Sequence, residues 1–163
     1  MHLRSVVVGV CLAAGFVTIP GRVDADSHRP VPIADRARGA ERVVVGRVVG
    51  VEPVWRTNDY GDRLIVSIVH LVVDETIKGE ARSTMDVDVE GGTIGTLTLR
   101  VSDEQPFATG ERGVFFLQHN SRGRLVPHLR GQGLLKLDRS NRVPGSSLTL
   151  DEIRRTIAAR RNR

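Results

Sequence analysis

The stretch Arg63–Gly79, RLIVSIVHLVVDETIKG, constrains this chain more than any other. It is apolar in both alternating registers, rich in β-branched residues, and closes on Lys78-Gly79. The twelve residues from Arg63 to Asp74 span roughly 40 Å when extended, about twice an ordinary strand. A strand that long, with apolar residues on both faces, is accommodated by coiling, so that its two ends serve different parts of a closed or half-closed sheet.

The surrounding sequence supplies partners for such a strand. Arg42–Glu52 reads as the first one, with Val43, Val45, Arg47, Val49 and Val51 on one face and Val44, Gly46, Val48 and Gly50 on the other. Pro53 is expected to end it, and Val54–Asp62, which holds the only Trp and the only Tyr, to form the hairpin connection. Met85–Glu90 alternates apolar and acidic, predicting a half-exposed antiparallel strand with Asp86, Asp88 and Glu90 in solvent. Gly91-Gly92-Thr93-Ile94-Gly95 lacks both the lysine of a P-loop and a following helix pattern, so it reads as hairpin punctuation. Thr96–Val101 alternates again with Leu97, Leu99 and Val101 inward. Gly113–Gln118 follows, then two weaker strands near Arg124–Leu129 and Leu134–Leu137.

Helical spacing appears at both ends of this region. Ile33, Ala37 and Ala40 predict a short helix with Asp35, Arg36, Arg38 and Glu41 on its other faces. Thr149 and Glu152 form a capping-box pattern that starts a helix with Leu150, Ile153 and Ile157 as its apolar stripe. The expected fold class is mostly β: a small antiparallel OB-like barrel of five to seven strands, a short N-terminal helix and a C-terminal amphipathic helix. The division is a flexible lead-in over 26–32, the barrel with its preceding helix over 33–137, a linker over 138–146 and a basic helix over 147–163.

Residues 1–25 read as a signal peptide and are set aside. Arg4 gives a positive start, Ser5–Ile19 an apolar run, Pro20-Gly21 a break, and Val23-Asp24-Ala25 a cleavage pattern that leaves Asp26 as the mature N-terminus. The run is shorter than the roughly 20 residues of a membrane span, so the mature chain is expected to be secreted or periplasmic with no transmembrane span. The single cysteine, Cys11, falls inside the signal, which leaves no thiol for a disulfide or a metal.

The formal net charge is +5, carried almost wholly by arginine. The charge is scattered and aromatics are 4% of the chain, which argues against a nucleic-acid partner. The one local cluster is Arg154, Arg155, Arg160, Arg161 and Arg163, which offers attachment to an anionic surface or partner; helix-end charge complementarity with a frayed, solvated tail is the favoured explanation. No GxSxG, HExxH or EF-hand spacing is present, and no cofactor or metal is implied. A metal-dependent hydrolase would have to assemble its site from His70, His119 or His128 with Asp86 or Asp88.

Three segments carry a family resemblance: Gly39–Val48, GAERVVVGRV; Ile77-Lys78-Gly79; and Pro106-Phe107 with Gly110-Glu111-Arg112 leading into Val114–Leu117. Together they resemble uncharacterised secreted bacterial domains that look like OB-type barrels of the netrin or TIMP-like (metalloprotease-inhibitor-like) group. The resemblance implies a five-stranded barrel with a binding role. It does not carry the inhibitor mechanism, which uses an N-terminal cysteine where this chain has Asp26. The expected function is thus non-catalytic binding of an unspecified protein or cell-envelope component. Gly91, Gly92, Asp103, Glu104 and Arg112 are the nominated surface, because loops on a rigid scaffold commonly carry recognition.

Overall fold

In a computed structural model of the chain, residues 30–58, 60–102 and 106–161 are described. The expectations for the signal peptide, for Asp103 and Glu104 and for Arg163 lie outside them. The elements in order are α1 (Ile33–Gly39), β1 (Arg42–Thr57), β2 (Arg63–Lys78), β3 (Thr84–Glu90), β4 (Gly92–Ile94), β5 (Leu97–Leu99), β6 (Arg112–His119), β7 (Leu125–Pro127), a 3₁₀ turn (Arg130–Gly133), β8 (Leu134–Leu137) and α2 (Leu150–Arg161). The fold is mostly β. One antiparallel sheet runs β3-β2-β1-β6-β7, with β8 also pairing with β6, and β4–β5 forms a separate two-stranded hairpin.

Two 16-residue strands, β1 and β2, pair along nearly their whole length. The long apolar run is therefore the strand it promised to be, central between β1 and β3. Pro53 does not end β1, which continues to Thr57. The reason is local: β6 pairs with β1 only from Arg42 to Arg47, so Pro53 sits where one side of β1 has no neighbouring ladder to be deprived of a donor. The turn is correspondingly shorter than expected, with the Asn58 side-chain oxygen accepting the backbone N–H groups of Tyr60 and Asp62.

Register shifts in the β1–β2 ladder between Val43 and Val44, Val45 and Gly46, and Val48 and Gly50 bend the pair. They also break the expected alternation: Val51 joins the cluster of Val44 and Val48, while Val49 is left exposed. The β1 segment Val43-Val44-Val45 is fully buried on both faces. Val44 faces an inner core with Val69, Leu71, Val87, Phe115 and Leu117. Val43 and Val45 face an outer core with Phe116, Ala37, Ala40, Leu150, Ile153 and Ile157, supplied by α1 and α2.

The sheet does not close into a barrel. β3 and β7 approach one another, but no backbone ladder joins them among the described residues. β7 and β8 are 3 and 4 residues long and are spent on separate stretches of β6, which leaves no continuous edge for β3. Side chains cross the gap instead, in Arg124–Asp88 and Arg130–Glu90 ion pairs. The loop before β6 returns to β1, where Gly110 N–H donates to Val48 O and Val48 N–H to Glu111 O.

Both helices form where the sequence places them. Thr149 and Glu152 make the reciprocal capping box: Thr149 N–H donates to the Glu152 carboxylate at 2.8 Å and Glu152 N–H to Thr149 Oγ1 at 3.3 Å. The stripe Leu150, Ile153 and Ile157 is buried. The 138–146 segment is more structured than a linker, because Asp138 Oδ1 accepts two turn N–H groups and Arg142 bridges to Thr149. In α1, Arg36 is buried rather than surface-facing; its guanidinium donates to Val31 O and Gln132 O.

Lys78 ties α1 to the sheet. Its ammonium lies 2.7 Å from Ala37 O and 2.6 Å from Ala40 O, with Arg38 O at 3.4 Å. A cation on the orphan carbonyls of a helix C-terminus satisfies them and complements the dipole. Lys78→Met keeps the aliphatic stem but leaves these carbonyls unpaired, so it should lower the unfolding free energy by about 1–3 kcal/mol. Urea denaturation should show a lower midpoint at unchanged slope.

Candidate functional site

The nominated surface is built where β3 hands over to the β4–β5 hairpin. Gly91 and Gly92 both take positive φ, 106° and 139°, conformations that side chains disfavour. Gly91 N–H donates to Ile65 O and Gly91 O accepts from Ser67 Oγ at 2.8 Å. A Cβ on Gly92 would lie 2.7 Å from Ser67 Oγ and 3.2 Å from Ile65 Cγ2. The glycine pair is therefore what lets the hairpin fold back against β1 and β2.

Beside this handover is a cleft of about 600 Å³. Its apolar lining comes from Val51, Val69, Val89, Leu99, Val101 and Phe107, with Ser67, Thr93, Thr98 and Arg100 among its polar residues. Val69, Val89 and Phe107 belong to the inner core, so the cleft opens onto the core. Phe107 is fixed there: its ring centroid is 4.9 Å from that of Phe115, and Lys136 Nζ lies 5.2 Å from it. Thr93 and Thr98 hydroxyls meet at 3.0 Å and brace the opposite wall. Leu97, expected inward, is exposed, because β4–β5 stands apart from the main sheet.

Of the residues nominated from sequence, Gly91 and Gly92 line this cleft. Asp103 and Glu104 lie outside the described residues, between Ser102 and Pro106, which also line it. Arg112 is elsewhere. It pairs with Asp74 at 2.7 Å and donates to Asn141, within a different cleft that includes Arg47, Glu111 and Lys136. Sequence reasoning missed Val51, Val69 and Val89 as cleft residues because their alternation marks them only as core.

The strand face opposite the inner core carries the ionisable groups. β2 and β3 register puts His70 across from Asp86 and Ile68 across from Asp88. His70 Nδ1 lies 2.7 Å from Asp86 Oδ1. His119 pairs instead with Glu41 at 2.5 Å, and this bond holds the Glu41 carboxyl below its ordinary range. His128 is bonded to Gln118 and packed against Gly39. The three histidines thus have three separate partners, and among the described residues no group of three or more His, Cys, Asp or Glu converges to hold a metal.

Asp88 is not the solvated acid that the alternation predicted. Its side chain is only 12% exposed, with Arg124 Nε at 3.0 Å and Arg56 Nε at 3.7 Å. The long arginines fold over it from β1 and from the β6–β7 turn, which the strand pattern alone does not reveal. Burial pushes the Asp88 carboxyl above its ordinary range, against the opposing pull of Arg56 and Arg124.

The basic C-terminal cluster is largely occupied within the chain. Arg154 bridges Glu75 and Asp151, at 2.5 and 2.7 Å, and Arg160 reaches Asp35 at 3.2 Å. Arg155 has no ion pair among the described residues, and the Arg161 side chain lies outside them. No helix among the described residues is long and apolar enough to cross a membrane. No family model and no curated protein matches the chain.

The Asp88 environment gives a signed pH dependence. Its folded-state affinity for a proton exceeds that of the unfolded chain, so its contribution is complete below the unfolded value of about 3.9. It is lost as pH rises through the higher folded value. Relative to Asp88→Asn, wild-type stability should therefore decline as pH rises from below the unfolded value of about 3.9 to above it. Paired urea titrations that show the wild type gaining on the variant over that range would contradict the assignment.

Proposed function

We propose that this chain is an exported, non-catalytic binding domain that holds an apolar moiety of a protein or cell-envelope component in the cleft beside Gly91-Gly92. The observation that carries the proposal is the cleft's construction. A space of about 600 Å³ opens onto inner-core residues Val69, Val89 and Phe107 and is edged by hydroxyls and Arg100. That combination, mainly apolar walls with a few polar groups at the mouth of a β-structure, is the usual form of a recognition cleft. The export pattern of residues 1–25 supports an envelope or extracellular setting. The antiparallel β architecture is compatible with the OB-type, netrin or TIMP-like resemblance and with its implied binding role.

The separate engagement of His70, His119 and His128 gives the hydrolase alternative no geometric support, and the ion pairs of Arg154 and Arg160 weaken surface attachment through α2. Native protein recovered from the envelope or culture medium should carry a ligand identifiable by mass spectrometry. Thr98→Arg places a long charged side chain at an exposed position on the cleft wall and should reduce that recovery at least about tenfold while leaving the urea midpoint nearly unchanged. Equal recovery from both proteins would locate binding elsewhere.

A further inference from the structure

On the other side of β3 from the apolar cleft, two further clefts of about 450 and 660 Å³ share a wall. The residues common to both are Arg56, Asp88, His119 and Arg124. The surrounding charges are nearly balanced in pairs. Arg82 meets Glu80 at 3.2 Å, Arg130 meets Glu90 at 2.6 Å, His70 meets Asp86 and His119 meets Glu41. Glu80 also meets Arg42, but it is exposed; Asp88 stands apart as a largely buried carboxylate that serves two guanidinium groups.

The pairing is also incomplete in geometry. Arg56 Nε and Arg124 Nε are both buried, yet neither makes a hydrogen bond. The 3.0 Å approach of Arg124 Nε to Asp88 is an ion-pair distance without the direction a hydrogen bond needs. Neither guanidinium is hydrogen-bonded through its terminal nitrogens to any described residue, and those nitrogens are not among the buried unsatisfied atoms. They remain able to serve something in the clefts they line. Buried donors are paired in the great majority of folded proteins, so two orphans side by side call for an acceptor. Guanidinium forks match the oxygens of carboxylate and phosphate groups, often in bidentate fashion.

We infer that the junction of these two clefts is an oxyanion-binding site, in which Arg56 and Arg124 together receive a carboxylate or phosphate group while Asp88 holds the two guanidinium groups side by side. The competing reading is a latch. Arg122 donates to Thr57 O and Asn58 O from the same β6–β7 turn, so that turn is tied to the β1–β2 hairpin whether or not an anion binds. The two readings part at Asp88. A latch loses its central acceptor when Asp88 is neutralised and gains no affinity for anions. An oxyanion site loses a competitor and becomes more positive.

The test is a titration of ¹⁵N-labelled full-length protein with inorganic phosphate and, separately, with acetate at constant ionic strength, following the amides of residues 119–124. Saturable shifts are expected with at least one of the two anions, and which one acts distinguishes phosphate from carboxylate recognition. Arg124→Gln and Arg56→Gln should each weaken the affinity about tenfold or more, the loss expected when a charge-assisted hydrogen bond is removed. Asp88→Asn should strengthen it several-fold, and Arg47→Gln, on a different cleft, should leave it unchanged. Should Arg124→Gln fail to fold, Arg124→Lys keeps the charge without the fork and should still bind more weakly than wild type. No saturable shift with either anion, equal affinity in the arginine variants, or weaker binding in Asp88→Asn would overturn the assignment. Thr98→Arg leaves this site intact, so the apolar cleft and the oxyanion site fail or succeed separately.

Discussion

The whole architecture follows from the need to bury Val43, Val44 and Val45 at once. Three successive strand residues point alternately to opposite faces, so burying all of them requires cover on both sides of β1. On one side the sheet curls over its own inner core around Val44, Leu71 and Phe115. On the other, α1 and α2 lie across Val43, Val45 and Phe116. A free-standing sheet could supply only one of these covers. The two helices are therefore as necessary to β1 as its hydrogen-bonded neighbours, and the ladder residues they protect are those where β1 is flanked by both β2 and β6.

The same constraint bears on three segments of the sequence, Gly39–Val48, Ile77–Gly79 and Pro106–Leu117, which form one pattern. Lys78 caps α1, while Gly79, at φ 91°, lies so close to Glu41 that a Cβ would be 2.8 Å from Glu41 O. Glu41 receives both the backbone N–H and the imidazole of His119. Glu111 accepts from Ala108 N–H and Lys136, and Lys136 in turn lies over Phe107. Each segment of the pattern therefore closes a joint between elements: α1 to β2, the start of β1 to β6, and the Phe107 loop to β8. A pattern composed of such joints specifies how helices and loops dock on the sheet. The residues that line the cleft beside Gly91-Gly92 lie outside the pattern, except Pro106 and Phe107.

The legible parts of this fold are those governed by local periodicity or by capping chemistry. Arg63–Lys78 announces a strand through composition alone, and Thr149 with Glu152 announces the start of α2 through a reciprocal bond confined to four residues. What escaped was decided by non-local partners. Pro53 is tolerated because β6 ends early; Arg36 is buried because Val31 and Gln132 present carbonyls to it; and Val51 changes sides because of a register shift near Val49. The candidate site divides in the same way. The glycines at 91 and 92 could be read from sequence as a turn, whereas the valines that line the cleft look like any other core residues until an edge of the core is seen to be open.

β3 is where these two levels meet. Its apolar positions, Met85, Val87 and Val89, complete the inner core, and its acidic positions alternate with them. In an isolated sheet Asp86, Asp88 and Glu90 would be equivalent solvated acids. Here each has a different fate, set by what lies opposite: Asp86 meets His70, Glu90 meets Arg130, and Asp88 is covered by two arginines from elements distant in sequence. Because β3 and β7 lack a backbone ladder, the Arg124–Asp88 and Arg130–Glu90 pairs bridge the gap, and a charged cleft lies beside them. Glu90 lines both the apolar cleft and the charged one. A complete ladder between β3 and β7 would have given the sheet a closed edge in place of this side-chain bridge.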